Sequence, residues 1–242
     1  KIKNNLIDIK DDGTFRLDMS YFKYHRGFRM TSNKFHKLFG SEPRSIKEPI
    51  KQFHMDLAAS IQEVTEEIVI ALAKTIKNET GASNLCLAGG VALNCVANGK
   101  LIREKLFDNV WIQPASGDAG SSVGGALLTY YEYHNRHRKI DKNDSMKGSY
   151  LGPKYSNQEI KNYLKSINAS FKTIEEETIF DEIARLIKEG NVIGWFSGPM
   201  EFGPRALGAR SIVGDPRNPK MQSIMNLKIK YRESFRPFAP SV

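Results

Sequence analysis

The clearest pattern in the chain is a helical repeat of apolar residues between Met55 and Thr80. Apolar side chains recur there at steps of three and four residues, which places them on one face of a helix. Gly81 follows directly and is suited to end that helix. The residues of this face are Leu57, Ile61, Val64, Ile68, Leu72 and Ile76.

After this helix, short apolar runs alternate with glycine-bearing loops. Residues 84–88 and 109–113 predict buried strands, and residues 92–105 and 119–133 predict helices. A repeated order of strand, loop and helix is typical of an α/β fold, in which ligands bind where the strands end. Both glycine-bearing loops follow strands and precede helices, so we expect ligands there.

A polar segment, residues 139–150, is the best candidate for a domain boundary. The chain has 242 residues, which is long enough for two domains with a core each. We therefore predict a first domain over residues 1–142 and a second over residues 143–242.

The second domain has its own helix and strand signals. Ser156 and Glu159 have the spacing of a capping box at the start of a helix. Residues 180–189 predict another helix, closed by Gly190, and residues 192–196 predict a strand. That strand leads directly into the segment MEFGPRALGARS.

Composition limits the class of protein. The chain is 40% hydrophobic and 26% charged, has no apolar run long enough to cross a membrane, and starts without a signal-peptide pattern. These features predict a cytoplasmic protein that does not enter membranes. Cys86 and Cys95 have neither metal-ligand nor disulfide-framework spacing, so we expect reduced thiols in the core.

The segment from Met200 to Ser211 carries the strongest chemical signal. It sets Arg205 and Arg210 among glycine and proline, where a loop can close on a small anion. Arginine binds phosphate and carboxylate groups through two parallel hydrogen bonds. The alternative is that these arginines form structural ion pairs with Glu201 or Asp215.

Positive charge is concentrated at the end of the chain. From Ser197 onward there are eight Lys and Arg residues against three Asp and Glu, in a chain of net charge +9. An RNA- or anion-binding module without catalysis is therefore an alternative function. No aromatic platform for stacked bases accompanies the charge, so we expect no specific nucleic-acid binding.

Two loops in the first half are suited to phosphate or metal. Gly89 and Gly90 lie between a strand and a helix, where backbone N–H groups can face a phosphate, although a plain turn explains them as well. Asp118 lies between the next predicted strand and the helix that follows it, where its carboxylate could bind a metal. It could instead be a structural helix cap.

Three stretches together closely resemble the ATP-dependent O-carbamoyltransferases of nodulation and antibiotic tailoring. They are MEFGPRALGARS with RESFRPFAPSV, LCLAGGVALNCVANGKL at 85–101, and WIQPASGDAGSSVGGA at 111–126. The resemblance implies the second half of an actin/sugar-kinase-like (ASKHA) nucleotide-binding domain. It also implies part of an α/β, YrdC-like domain that forms carbamoyl-adenylate.

The same resemblance implies the reaction and its partners. ATP and carbamoyl phosphate would give carbamoyl-adenylate with loss of pyrophosphate, and the carbamoyl group would pass to a hydroxyl of a small-molecule acceptor. A divalent metal, iron or magnesium, would be held by Asp118 together with a pair of histidines that belong to an N-terminal part of the family. A homodimer is compatible with this expectation.

The resemblance also assigns residues of this chain. The implied nucleotide-binding residues are Gly89, Gly90, Val91, Asn94, Gly117 and Gly120. The implied carbamoyl-phosphate-binding residues are Arg205, Arg210, Lys228, Arg232 and Arg236, and we expect Arg205, Arg210 and Arg236 to be catalytic. Lys228, together with Lys230, could equally belong to a solvated helix face, and the arginines could be structural. Family members extend beyond both ends of this sequence, so we expect a fragment that is inactive by itself.

Overall fold

The computed structural model of the protein describes residues 1–45, 48–141 and 143–239. It divides into two compact units, Lys1–Gly117 and Asp118–Val242. Both contain helices and strands, so the predicted α/β class is confirmed, whereas the ASKHA and YrdC-like descriptions and the domain boundary at 142/143 stay predictions.

The first unit combines a small antiparallel pair, a long helix and a parallel pair of strands. Its elements in chain order are α1 (Ile2–Asn5), β1 (Ile7–Ile9), β2 (Phe15–Leu17), α2 (Asn33–Phe39), α3 (Gln52–Thr80), β3 (Asn84–Leu87), α4 (Cys95–Arg103) and β4 (Asn109–Ile112). Short 3-10 turns occupy Met19–Tyr21 and Gly90–Leu93.

The long helix α3 connects two hydrophobic clusters of the first unit. It contributes Val64 and Ile68 to a cluster with Ile2 and Leu6. Ile70, further along the helix, belongs to a cluster that also holds Leu85, Leu101 and Phe107. The predicted amphipathic helix is confirmed, and it ends at Gly81, which has the left-handed φ of 64° that glycine adopts readily.

Strands β3 and β4 pair in parallel, and their register joins Leu85 to Val110 and Leu87 to Ile112. The carboxyl ends of parallel neighbours lie at the same edge of a sheet. The loops that begin at Ala88 and Gln113 therefore leave from one edge. This confirms the predicted order of strand, loop and helix in the first unit.

The second unit is built from helices around an antiparallel pair. Its elements are α5 (Asp118–Leu128), α6 (Asn157–Ser166), α7 (Glu176–Lys188), β5 (Ile193–Phe196), β6 (Arg210–Val213) and α8 (Met221–Ile224). Helix α5 continues as a π-helical turn over Thr129–Tyr133, α8 continues as another over Met225–Ile229, and a 3-10 turn occupies Lys147–Ser149. The predicted capping box is present, because Ser156 and Glu159 bond each other's backbone N–H groups at the start of α6.

Strands β5 and β6 bracket the arginine-bearing segment. They are antiparallel, and Phe196 pairs with Arg210 where the connecting segment starts and ends. We call residues 200–210 the arginine loop. The ladder holds the two ends of this connection side by side, so the loop projects from one end of a rigid pair of strands.

Cys86 and Cys95 are free thiols, but both are exposed, so the expectation of core thiols is wrong. Cys86 lies on a strand at a position that points away from the cluster around Leu85, and Cys95 opens α4. Within the described part of the chain, no helix has the length and apolar character needed to cross a membrane.

Candidate functional site

The loop after β3 is shaped by Gly89. Its φ of 96° lies in a region that side-chain-bearing residues rarely adopt, and its N–H donates to the carbonyl of Ser116 at 2.7 Å. That bond ties the loop after β3 to the loop after β4. A Cβ atom built on Gly89, Gly90 or Gly117 would meet nothing within 4 Å, so the space beside these glycines is open.

Backbone donors are available at this loop. The N–H groups of Gly90 and Val91 have no hydrogen-bond acceptor among the described residues, and both residues are exposed. They stand at the start of a 3-10 turn, where N–H groups are left without intrahelical partners. The loop can therefore donate two hydrogen bonds to an external anion such as a phosphate.

Asn94, by contrast, is engaged in structure. Its side chain caps α4 by accepting from the N–H of Ala97 at 3.1 Å, and it exchanges two hydrogen bonds with Gln62 of α3. These contacts dock α4 onto the long helix. A nucleotide contact from Asn94 stays a prediction.

Asp118 is the first residue of α5, and Gly120 lies in the first turn of the same helix. A carboxylate at that position interacts favourably with the helix dipole, which fits the alternative of a structural role. No group of three or more His, Cys, Asp or Glu side chains that could hold a metal occurs among the residues the structure describes. A metal at Asp118 would therefore need further ligands from elsewhere.

The arginine loop is organised around a buried carboxylate, Glu201. One carboxylate oxygen, Oε1, accepts from the N–H groups of Leu207 at 2.6 Å, Ala209 at 2.7 Å and Arg210 at 3.3 Å. The other, Oε2, accepts from Nε of Arg210 at 3.1 Å. Glu201 is only 1% exposed, so these bonds satisfy a charge that water does not reach.

The contacts of Glu201 favour its ionised form. Burial of the carboxyl opposes ionisation, but backbone N–H bonds, above all from Leu207 and from Glu201 itself and then from Ala209 and Arg210, outweigh burial and lower the pKa of Glu201 to about 2. The carboxylate is therefore charged at neutral pH. It balances the adjacent guanidinium of Arg210.

A second segment, residues 149–152, holds the arginine loop through hydrogen bonds to its backbone. The hydroxyl of Ser149 donates to the carbonyl of Phe202 at 2.7 Å, and the N–H of Phe202 donates to the carbonyl of Ser149 at 2.7 Å. The phenol of Tyr150 donates to the carbonyl of Leu207, and the N–H of Gly152 donates to the carbonyl of Met200. The loop is therefore held along most of its length.

Replacing Gly152 by alanine is expected to destabilise the contact between this segment and the loop. A Cβ atom there would lie 2.7 Å from the carbonyl oxygen of Met200, a backbone atom that cannot move away easily. Overpacking of this kind costs about 1–3 kcal/mol in free energy of unfolding. Urea denaturation measures it, with Gly194→Ala as the control, because a Cβ on Gly194 meets nothing within 4 Å. Equal stability of the two variants would contradict the steric argument.

The two arginines of the loop differ in their surroundings. Arg210 is half-buried and is held by Glu201 and by the carbonyl of Gly203, to which its Nη2 donates at 2.6 Å. Arg205 is exposed, and its guanidinium has no hydrogen bond or ion pair with any residue the structure describes. The expected ion pair with Glu201 is thus present for Arg210, while Arg205 remains open to an external anion.

The C-terminal cations have local partners. Asn226, which is 0% exposed, accepts from Nε of Arg232 and donates to the carbonyls of Ser234 and Arg236. Arg236 pairs with Glu233 at 2.8 Å, and Lys228 is exposed on the π-helical turn. Asn226 therefore fixes the segment that carries Arg232 and Arg236.

Asp215 forms an ion pair of its own. Arg217 donates to it through Nε and Nη2, and these bonds lower the pKa of Asp215 to about 2. The pair lies just after β6, outside the arginine loop. Asp215 therefore does not neutralise Arg205 or Arg210.

The structure gives Arg205, Arg210 and Arg236 different surroundings. Their predicted convergence on one anion-binding site stays a prediction. The sequence does not predict that Glu201 organises the arginine loop or that Asn226 holds the segment carrying Arg232 and Arg236. Glu201 was considered only as an ion-pair partner, and its position next to a loop rich in glycine was the available signal. Nothing in the sequence singles out Asn226.

Comparison with known proteins identifies the family. A family model described as the carbamoyltransferase N-terminus matches residues 1–127, and one described as the carbamoyltransferase C-terminus matches residues 184–242. The chain therefore belongs to the carbamoyltransferase family. The resemblance noted from the motifs is confirmed at this level.

Several relatives are similar over most of the chain. An uncharacterised protein of Synechocystis sp. (strain ATCC 27184 / PCC 6803 / Kazusa) is 58% identical over 243 residues, which cover 100% of this chain and 40% of that protein. Nodulation protein NolO of Bradyrhizobium diazoefficiens is 40% identical over 80% of this chain and 35% of its own length. Nodulation protein NolNO of Sinorhizobium fredii is 40% identical over 80% of this chain and 28% of its own length. The chain thus spans well under half of these relatives.

Proposed function

We propose that this chain forms part of an ATP-dependent O-carbamoyltransferase. Water cleaves carbamoyl phosphate to carbamate and phosphate, and a carbamate oxygen then attacks the α-phosphorus of ATP, which gives carbamoyl-adenylate and releases pyrophosphate. A hydroxyl oxygen of a small-molecule acceptor then attacks the carbamoyl carbon, and AMP leaves. The match to two carbamoyltransferase family models is the observation that carries this proposal.

The arginine loop is proposed to bind carbamoyl phosphate. Arg205 is an exposed guanidinium on a loop that Glu201 and the Ser149–Gly152 segment hold in place. A cation carried on a loop that is held in place can stabilise charge that develops on transferring phosphoryl groups. Arg210, Lys228, Arg232 and Arg236 are the further cations proposed for this site.

The loop after β3 is proposed to contact ATP. The exposed N–H groups of Gly90 and Val91, next to open space, support this assignment. Gly117, Asn94 and Gly120 complete the proposed set. Asp118 would supply one carboxylate ligand to a divalent cation, iron or magnesium, which when bound polarises phosphate oxygens.

The proposal is tested on the full-length protein with ATP and carbamoyl phosphate. We expect pyrophosphate release only when both are present, and mass spectrometry of hydroxyl compounds added as acceptors should show a gain of one carbamoyl group. Pyrophosphate release that does not depend on carbamoyl phosphate would contradict the proposal.

A nucleic-acid function is expected to fail a simple test. The protein should bind a short RNA only weakly, because the charge excess at the end of the chain lacks aromatic residues in register for stacking. Gel retardation at increasing salt measures this, since nonspecific binding falls steeply with salt. RNA binding that persists at physiological salt and survives competition with heparin would favour the alternative function.

A further inference from the structure

We call the side of the arginine loop that faces the Glu201 carboxylate its inner side. An anionic side chain of the protein, Glu201, already occupies that side. Backbone N–H groups that converge on one oxygen form the kind of concave site that binds phosphate in other proteins. Here the converging donors are those of Leu207, Ala209 and Arg210, and the oxygen they share is Oε1 of Glu201. A dissolved anion therefore has no access to these three donors.

The outer side of the loop has different donors. The N–H groups of Ala206 and Gly208 have no acceptor within the described ranges, and both residues are exposed. Gly208 also lines an open cleft of about 310 Å³ together with Tyr150 and Trp195. From Ala206 to Ala209 the N–H groups alternate: those of Leu207 and Ala209 donate to Glu201, while those of Ala206 and Gly208 are left for solvent or a ligand.

We propose that Glu201 is a positioning residue that fills the inner side of the arginine loop, so that an external phosphoryl group is bound on the outer side. The binding groups there are the guanidinium of Arg205 and the N–H groups of Ala206 and Gly208. The identification of this phosphoryl group with carbamoyl phosphate rests on the proposed function. The arrangement of inner and outer N–H donors is independent of the proposed function.

Glu201 also controls Arg210. The carboxylate holds Nε of Arg210, and the carbonyl of Gly203 holds Nη2, so that the orientation of this guanidinium is fixed. Loss of the negative charge removes the first of these restraints. The guanidinium of Arg210 is then free to move. The N–H groups of Ala206 and Gly208 are no longer held in the orientation that binds the phosphoryl group.

Hydrogen exchange on the unsubstituted full-length protein tests the two sides directly. Exchange resolved to single amides by fragmentation should be slow at Leu207 and Ala209 and fast at Ala206 and Gly208. Addition of inorganic phosphate should slow Ala206 and Gly208 at least tenfold and leave Leu207 and Ala209 unchanged. Equal exchange at all four amides, or protection by phosphate at neither outer amide, overturns the proposal.

A substitution tests the positioning role. Glu201→Gln keeps the size of the side chain and one acceptor oxygen but cannot accept from Arg210 through its amide nitrogen. We expect the Kd for inorganic phosphate to rise at least tenfold, and the KM for carbamoyl phosphate to rise by the same factor with a smaller change in kcat. A purely structural role would lower the amount of folded protein without raising either constant.

The matched control is Asp215→Asn. Asp215 is also buried and is also paired with an arginine, Arg217, but it lies outside the arginine loop. Its loss should leave the Kd for phosphate within twofold of the parent. Equal Kd values in Glu201→Gln and the parent would overturn the positioning role. If the parent releases no pyrophosphate, the proposed function fails, while phosphate binding and amide exchange still decide the role of Glu201.

Discussion

Lysine in place of Arg205 is expected to slow pyrophosphate release at least tenfold in the full-length protein. Lysine keeps the positive charge but has no planar pair of donors, so it cannot grip two phosphate oxygens at once. Arg205 has no structural partner among the described residues, so the substitution should cost function and leave stability unchanged. Release is measured with ATP and saturating carbamoyl phosphate.

The control is Arg185→Lys on α7. Arg185 is also exposed, but it pairs with Glu182 and Glu189 and lies outside the loop. That variant should release pyrophosphate at the parental rate. If Arg205→Lys is as stable as the parent and equally fast, Arg205 does not bind the reacting phosphate.

Local patterns predicted the elements of the fold well. The apolar repeat before Gly81 predicted α3, and the capping residues Ser156 and Glu159 predicted the start of α6. These signals are short in range, because a helix face or a cap depends on neighbours within a few residues. The strands β3 and β4 were found for the same reason, since each is a compact apolar run followed by a glycine or proline.

The arrangement inside the arginine loop could not be predicted in this way. Composition showed two arginines among small residues and suggested a site for an external anion. The structure shows that Glu201 accepts from three N–H groups of the loop, and that Ser149 and Tyr150, each more than 50 positions before its partner in the sequence, bond to the loop's carbonyls. Which arginine stays exposed depends on these distant contacts, and no local spacing encodes them.

Removing Glu201 is expected to have the largest effect on stability in the second unit. Glu201→Ala leaves the N–H groups of Leu207 and Ala209 and the guanidinium of Arg210 without their acceptor. Loss of one partner from a buried charge pair costs roughly 3 kcal/mol or more in free energy of unfolding. Hydrogen exchange in β5 and β6, which reports the opening of this unit, should accelerate accordingly at neutral pH.

The same effect should disappear in acid. The pKa of Glu201 is about 2 in the folded protein, below the ordinary 4.5, so its stabilising contribution is present above pH 4.5 and is lost as pH falls toward 2. The difference in opening free energy between parent and Glu201→Ala should therefore shrink over that range. A gap between the two proteins that stays constant from pH 7 to pH 2.5 would mean that the charge of Glu201 does not hold the loop.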